Sequence, residues 1–129
     1  MHKVKIYYHH TDSGGVVYYA NYLSFLEEAR TEYLAERGIS IKELAKQGIM
    51  FVVARQEIDY KFPAQYADTL TINTSIIDAS AVRVNFDHEI RNQNNQLITK
   101  AKTVLVCVGP DLKPKVIPDE LRTKLSATF

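Results

Sequence analysis

Asp12 begins a short glycine-containing segment whose residue types suit acyl-transfer chemistry. The segment, Asp12 to Gly15, precedes a predicted helix that starts near Tyr18 or Tyr19. An aspartate can act as a base or a nucleophile, and glycines let the backbone turn sharply and approach a ligand closely. The first N–H groups of a helix have no intrahelical partner and can hold a developing oxyanion. These residues therefore predict an acyl-transfer site at this loop.

The same pattern also has ordinary interpretations. An aspartate or serine ahead of a helix usually caps it, and the pattern alone favours capping. His9 and His10 precede Asp12 and could suggest a metal site. However, adjacent residues of a strand point to opposite faces, and a usable site needs three or four ligands. We therefore predict no metal, and one histidine could instead tune the carboxylate electrostatically.

A stripe of apolar side chains predicts a long helix directly after the loop. Its members recur at helical spacing from Tyr22 to Tyr33, and Gly38 is a natural stop. Ser40 and Glu43 fit the capping box of a second, short helix. Charged residues largely occupy the other faces of the long helix: Glu27, Glu28, Arg30, Glu32, Glu36 and Arg37.

From residue 51 onward the apolar period changes from helical to alternating, which predicts strands. Four segments alternate in this way, over residues 51–60, 69–76, 82–90 and 97–108. Short polar links join them, so they should be antiparallel. Residues 3–8 alternate enough to form a further strand, and Pro118 begins a last helical piece.

This order of elements predicts an α+β domain that spans residues 1–129. A curved antiparallel sheet of about five strands would wrap around the one long helix, because its apolar stripe must be covered. At least one sheet edge would be long. Since natural proteins protect such edges, and pairing with a second copy is a simple way to do so, we predict a homodimer.

Composition limits the class of protein. The chain has 129 residues, and its net charge of +1 gives no basic footprint of a general nucleic-acid binder. Cys107 is the single cysteine, which favours a reducing compartment. The N-terminal residues lack the apolar run of a signal peptide, and no segment is long and apolar enough for a membrane span. We predict a cytoplasmic protein.

The stretch from Tyr7 to Leu34, "YYHHTDSGGVVYYANYLSFLEEARTEYL", resembles the signature of the hotdog-fold acyl-CoA thioesterases, in the group of 4-hydroxybenzoyl-CoA and YbgC-type enzymes. A later stretch, "GIMFVVARQEIDYKFPAQYADTLTI", resembles the next strands of that family. The residues that carry the signature are Tyr8, Thr11, Asp12, Gly15, Val16, Val17, Tyr18, Tyr19, Asn21, Tyr22, Ala29 and Arg30.

The resemblance implies a hotdog fold and an enzyme that hydrolyses an acyl-CoA thioester to a carboxylic acid and CoA. Asp12 matches the catalytic carboxylate, which would either attack the thioester carbonyl or activate a water. The backbone N–H of Tyr19 would polarise the thioester oxygen. Tyr8, Gly15 and Tyr18 are candidate substrate-binding residues because of their positions in the motif.

The resemblance also implies a substrate site at a dimer interface. Met50, Phe51 and Val52 of the partner would line the acyl pocket, and Arg83 would lie near the CoA phosphates. The substrate is acyl-CoA, with a carrier-protein thioester as the alternative. No cofactor is implied, and the dimer would pair into a homotetramer.

The chain departs from the family pattern at two places. Many YbgC-type members carry His at the position of Tyr19, whereas the hydroxybenzoyl branch carries Tyr there. The hydroxybenzoyl branch also has a basic run before its fourth strand, where this chain reads "DASAV" with only Arg83 nearby. The second departure puts the nucleotide contacts and an aromatic substrate in question.

Two other functions stay open at this point. A hotdog hydratase or dehydratase normally needs a His paired with a carboxylate, and no His follows the loop at a comparable position. A non-catalytic module that binds acyl-CoA or an acyl carrier is the other alternative, although it would not need Asp12 and Gly15. His88 and Cys107 lie on apolar patterns and are expected to be buried structural residues.

Overall fold

The computed structural model describes residues 1–126. It contains five strands and three α-helices, in the order of the sequence analysis. The strands are β1 His2–Lys5, β2 Met50–Tyr60, β3 Thr69–Ala79, β4 Arg83–Arg91 and β5 Leu97–Val108. The helices are α1 Asn21–Glu36, α2 Ile41–Lys46 and α3 Asp119–Ser126.

All five strands join one curled antiparallel sheet in the order β1-β3-β4-β5-β2. The predicted α+β architecture is therefore confirmed. The two edges differ, since β1 has 4 residues and β2 has 11. The ladder between β2 and β5 runs from Met50↔Val108 to Tyr60↔Thr99, with an irregularity between Val53 and Arg55. The second edge of β2 has no strand beside it among residues 1–126.

Helix α1 covers the inner face of the sheet with the apolar stripe that the sequence predicts. Most of its stripe joins a core formed with β1, β3 and β5, whereas Tyr33 joins a second core that lies under β4 and the two shorter helices. The stripe residues are Tyr22, Phe25, Leu26, Ala29 and Tyr33, and all are buried.

Local signals for the helix ends agree with the structure. Gly38 follows α1 with φ +75°, a conformation that favours glycine. The Ser40 side chain accepts the N–H of Glu43 at 3.2 Å, which is the predicted cap of α2. No helix within residues 1–126 is both long and apolar enough to cross a bilayer.

Three local expectations are wrong. The first strand ends at Lys5 rather than residue 8, because Tyr8–His10 form a 3₁₀ turn. Helix α1 begins at Asn21, two or three residues later than expected, because Val17 and Tyr18 pair with other segments and a turn at Tyr19 and Ala20 follows. Arg30, expected on a polar face of α1, is buried.

Candidate active site

The Asp12 loop is a small hairpin with a tight glycine turn. Thr11 and Val17 form an antiparallel bridge, and the N–H of Asp12 donates to the carbonyl of Val16 at 2.9 Å. The N–H of Gly15 donates back to the carbonyl of Asp12 at 3.1 Å, and Gly15 has φ +81°. The glycine is therefore required by the turn, and the pairing keeps Asp12 close to the residues before α1.

The carboxylate of Asp12 is exposed and only partly committed to the protein. Its Oδ1 accepts the N–H of Gly14 at 2.8 Å, and Oδ2 has no hydrogen-bond donor among residues 1–126. It does not cap α1, whose N-cap is Ala20 with no side-chain hydrogen bond. The capping interpretation is therefore wrong, and one carboxylate oxygen stays available for chemistry.

A free backbone donor lies in the turn between this hairpin and α1. The N–H groups of Asn21 and Tyr22 donate to the carbonyls of Tyr18 and Tyr19, at 2.9 and 3.4 Å. No acceptor within the described part of the chain takes the N–H of Tyr19. Tyr19 thus stands two residues before α1 rather than inside it, and its amide remains unpaired as expected for an oxyanion donor.

The carbonyl of His10 ties the hairpin to α1, a contact that sequence reasoning missed. It accepts the side-chain Nδ2 of Asn21 at 2.7 Å and the N–H of Tyr18 at 2.9 Å. Asn21 belongs to the motif, but only the fold shows what its amide reaches. The bond fixes the start of α1 relative to the Asp12 hairpin.

The two adjacent histidines do not point to opposite faces as expected. They lie in the 3₁₀ turn with ring centroids 4.1 Å apart, and Nδ1 of His10 accepts the N–H of Tyr7 at 2.9 Å. Burial lowers the pKa of His10, and His9 adds to that lowering. The structure gives His10 a backbone-supporting role behind the loop.

Aromatic side chains surround the hairpin and are unusually exposed for their size. Tyr8 is 78% exposed and Tyr19 is 62% exposed. The Tyr60 hydroxyl donates to the carbonyl of Tyr19 at 3.3 Å. The neighbouring Tyr19 raises the pKa of Tyr18, and the Asp12 carboxylate acts in the same direction. We call these residues the aromatic rim: Tyr7, Tyr8, Tyr18, Tyr19, Tyr60, Phe62 and Tyr66.

The remaining predicted site residues lie at the other end of the sheet. Met50 and Val52 lie at the start of β2, ten and eight residues before Tyr60, and Val52 is exposed. The side chain of Phe51 packs against the second core, which lies under β4 and the two shorter helices. Arg83 is exposed and aligns with Val52 across β5, through Val106. Within one chain these residues are therefore not brought to Asp12.

Comparison with known families identifies the class of protein. The family model of the thioesterase-like superfamily matches residues 7–125. The chain therefore belongs to the thioesterase-like superfamily, and the predicted thioester-hydrolase class is confirmed.

Named relatives define the class further. The acyl-CoA thioester hydrolase YbgC of Escherichia coli is 38% identical over 119 residues, which cover 92% of this chain and 89% of that protein. The structure of DHNA-CoA thioesterase from Staphylococcus aureus matches with TM-score 0.93 and 28% identity, covering 98% of this chain and 87% of that one. A 1,4-dihydroxy-2-naphthoyl-CoA thioesterase from Synechocystis matches with TM-score 0.88 and 30% identity, covering 97% and 93%. The hotdog fold is thereby confirmed.

Gly15→Ala is expected to lower both stability and turnover. A side chain at φ +81° costs about 1–2 kcal/mol, and relief of that strain would move Asp12 relative to Tyr19. Gly38→Ala is a matched control because Gly38 has φ +75° and open space around its Cβ position, as Gly15 does. Denaturation should show a similar loss for both variants, whereas thioesterase assays should show lower turnover only for Gly15→Ala. Equal turnover in both variants would contradict a positioning role for this turn.

Proposed function

We propose that the protein hydrolyses acyl-CoA thioesters to carboxylic acid and CoA, with the Asp12 carboxylate and the Tyr19 N–H acting on the same thioester. The observation that carries this proposal is that both groups are uncommitted in one short segment, made of the Asp12 hairpin and the turn that follows it. The free Oδ2 of Asp12 can attack or accept a proton. The unpaired amide of Tyr19 can hold the oxygen that becomes negative.

Two routes suit this geometry. In the first, Asp12 attacks the thioester carbonyl, the CoA thiolate leaves, and water then hydrolyses the mixed anhydride. In the second, Asp12 takes a proton from a water that attacks the carbonyl directly. In both, the Tyr19 N–H donates to the carbonyl oxygen, and one such donor is typically worth about 3–4 kcal/mol of barrier. Tyr8, Gly15 and Tyr18 border the bound acyl thioester from the same chain.

A second copy would complete the site through the open edge of β2. Tyr60, at one end of this edge, contacts Tyr19, whereas Met50 lies ten residues away, or about 30 Å along the strand. If two β2 edges pair antiparallel about Arg55, Met50 of the partner subunit comes to lie opposite Tyr60. Val52 of the partner subunit would then face the acyl group. Phe51 of the partner subunit would pack behind Val52, against the second core of the same subunit.

The same pairing would bring a cation to the CoA end of the site. Arg83 lies two strands from Val52, or about 10 Å away. No ion pair among residues 1–126 includes Arg83, so its guanidinium is free to meet a phosphate. We assign Arg83 of the partner subunit to the CoA phosphates, in place of the basic run that this chain lacks.

The proposal extends to assembly and location. We propose one domain over residues 1–129 that forms a dimer, with two dimers pairing into a tetramer. The exposed valines of the β2 edge, Val52 and Val53, support the dimer. The free thiol of Cys107 is buried, which suits the reducing cytoplasm.

Thiol release from a panel of acyl-CoA substrates tests this function. A thiol reagent should report free CoA for at least one aliphatic or aromatic acyl group. Enoyl-CoA is included because loss of its conjugated absorbance without thiol release would indicate a hydratase. Saturable binding with no release for any substrate would indicate a binding module, and either result would overturn the proposal. A carrier-protein thioester in the same panel distinguishes the two carriers.

Mixing two inactive variants is expected to restore activity. Asp12→Asn removes the carboxylate, and Val52→Lys places a charge where the partner's acyl group would lie. Each variant alone should be inactive. In mixed dimers one of the two sites is native, so random pairing restores about a quarter of the wild-type turnover. If Asp12 and Val52 served the same site within one chain, the mixture would stay inactive, and the shared site would be wrong.

A further inference from the structure

The turn before α1 holds a second unpaired amide, next to that of Tyr19. No acceptor among residues 1–126 takes the N–H of Ala20. Ala20 is the N-cap of α1, with φ −70° and ψ −22°, and its side chain is half-buried. Two successive backbone donors, on Tyr19 and Ala20, therefore follow the Asp12 hairpin directly.

Both of these amides point away from α1. In a trans peptide the N–H points opposite to the carbonyl of the same unit, and residues 1–126 contain no cis peptide bond. The carbonyl of Tyr18 accepts the N–H of Asn21 at 2.9 Å, and that of Tyr19 accepts the N–H of Tyr22 at 3.4 Å. Since both carbonyls turn towards α1, the N–H groups of Tyr19 and Ala20 turn together to the opposite side.

The hydroxyl of Tyr60 holds the second of these peptide units from outside the turn. It donates to the carbonyl of Tyr19 at 3.3 Å, and this carbonyl belongs to the same peptide as the Ala20 N–H. The helical bond to this carbonyl, at 3.4 Å, is longer than its neighbours in the first turn of α1, at 2.9 and 3.2 Å. The middle peptide of a turn can reverse while the ends stay in place, and reversal would aim the Ala20 N–H elsewhere. The bond from Tyr60 opposes that reversal.

Tyr60 is well suited to act as a fixed donor. It is the last residue of β2 and pairs with Thr99 of β5, so its backbone belongs to the sheet and not to the turn. Its ring centroid lies 5.5 Å from that of Tyr22 and 6.4 Å from that of Tyr19. Burial raises the pKa of Tyr60, and Tyr19 acts in the same direction, so the hydroxyl keeps its proton at neutral pH.

We propose that the Ala20 N–H is a second donor to the thioester oxygen, and that Tyr60 is the positioning residue that keeps this amide aimed at it. The inference rests on the proposed function and adds a second amide to the oxyanion site. Successive backbone N–H groups in a turn form a concave site for negative charge. The bond from Tyr60 also polarises the peptide between Tyr19 and Ala20, which makes its N–H a stronger donor as the thioester oxygen becomes negative.

Tyr60→Phe tests the positioning role because it removes only the hydroxyl and keeps the ring contacts. The kcat for acyl-CoA hydrolysis should fall at least about 5-fold, which corresponds to one hydrogen bond, while KM changes little. Tyr66→Phe is the matched control. Tyr66 is another exposed tyrosine of the aromatic rim, and its hydroxyl bonds to no group in the described part of the chain, so kcat and KM should stay at the wild-type values.

The stretching frequency of the thioester carbonyl is a readout that a merely structural role would not move. In the inactive Asp12→Asn background, infrared difference spectra of an isotope-labelled acyl-CoA should show the carbonyl band at lower frequency when bound than when free. Adding Tyr60→Phe should shrink this shift. Replacing Ala20 by L-lactic acid, through nonsense suppression, turns the Ala20 N–H into an ester oxygen and should lower kcat about 10²–10³-fold.

The outcomes separate this inference from the proposed function. Wild-type kcat in the lactic acid variant would show that the Ala20 amide is not a donor. A carbonyl shift that Tyr60→Phe leaves unchanged would overturn the positioning role, whether or not kcat falls. In both cases the proposed function stands if Asp12→Asn is inactive. A wild-type protein that releases no thiol from any acyl-CoA would overturn the proposed function itself.

Discussion

Asp12→Asn is expected to lower the kcat for acyl-CoA hydrolysis by about 10²–10⁴-fold. The asparagine oxygen can still accept the N–H of Gly14, so the hairpin and the fold should be preserved. The amide can neither attack the thioester nor take a proton from water. Thiol release under saturating substrate measures the change, and KM should move much less than kcat because the acyl pocket is intact.

Asp111→Asn is the control for this variant. Asp111 Oδ1 accepts the N–H of Lys113 at 3.1 Å, which is the same local bond two residues along the chain. This variant should keep wild-type turnover. If Asp12→Asn also kept full activity, the carboxylate would have no part in the reaction.

Acid is expected to destabilise the protein strongly through His88. This residue is 2% exposed, and burial together with the charge of Arg30 lowers its pKa to about 3. The unfolded chain binds a proton below pH 6.5, whereas the folded chain does not until about pH 3. Stability from this source is therefore complete above pH 6.5 and is lost as the pH falls, by up to about 5 kcal/mol at pH 3.

Urea denaturation at pH 7 and pH 4 measures this effect, with His88→Gln as the comparison. Glutamine keeps a donor for Thr103 and an acceptor for Thr74, which His88 contacts at 3.3 and 3.1 Å. Other titrating groups act on both proteins alike. The wild type should lose about 3 kcal/mol more than the variant between these pH values. Equal losses would show that His88 is not held neutral by its surroundings.

The fold could be predicted from the sequence because the spacing of apolar residues determines which side chains of a helix or strand are buried. The stripe of α1 and the alternating strands each place apolar side chains on one face, and that face must be covered. The burial of Arg30 was missed because a charged residue is expected to face solvent. In the structure its guanidinium instead donates to the Thr103 hydroxyl. A polar side chain is buried only where it has a specific hydrogen-bond partner. Partners that lie across a sheet can be predicted only when the order of the strands is known.

The candidate site was predicted unevenly for the same reason. Asp12 and Gly15 are neighbours in the chain, so their motif located them directly. Tyr60 was missed as a neighbour of Tyr19 because β2 is an edge strand that pairs with β5, the last strand. The extension of the first strand to residue 8 was wrong because tyrosines suit both a strand and a turn, and Tyr8–His10 form a 3₁₀ turn.

The most direct test is a crystal structure of the Asp12→Asn variant bound to an acyl-CoA that it can no longer cleave. We expect the thioester oxygen within about 3 Å of the Tyr19 amide nitrogen, the asparagine beside the carbonyl carbon, and the acyl chain against the partner's Val52. A thioester bound elsewhere on the chain, with the Tyr19 amide facing only solvent, would contradict the account.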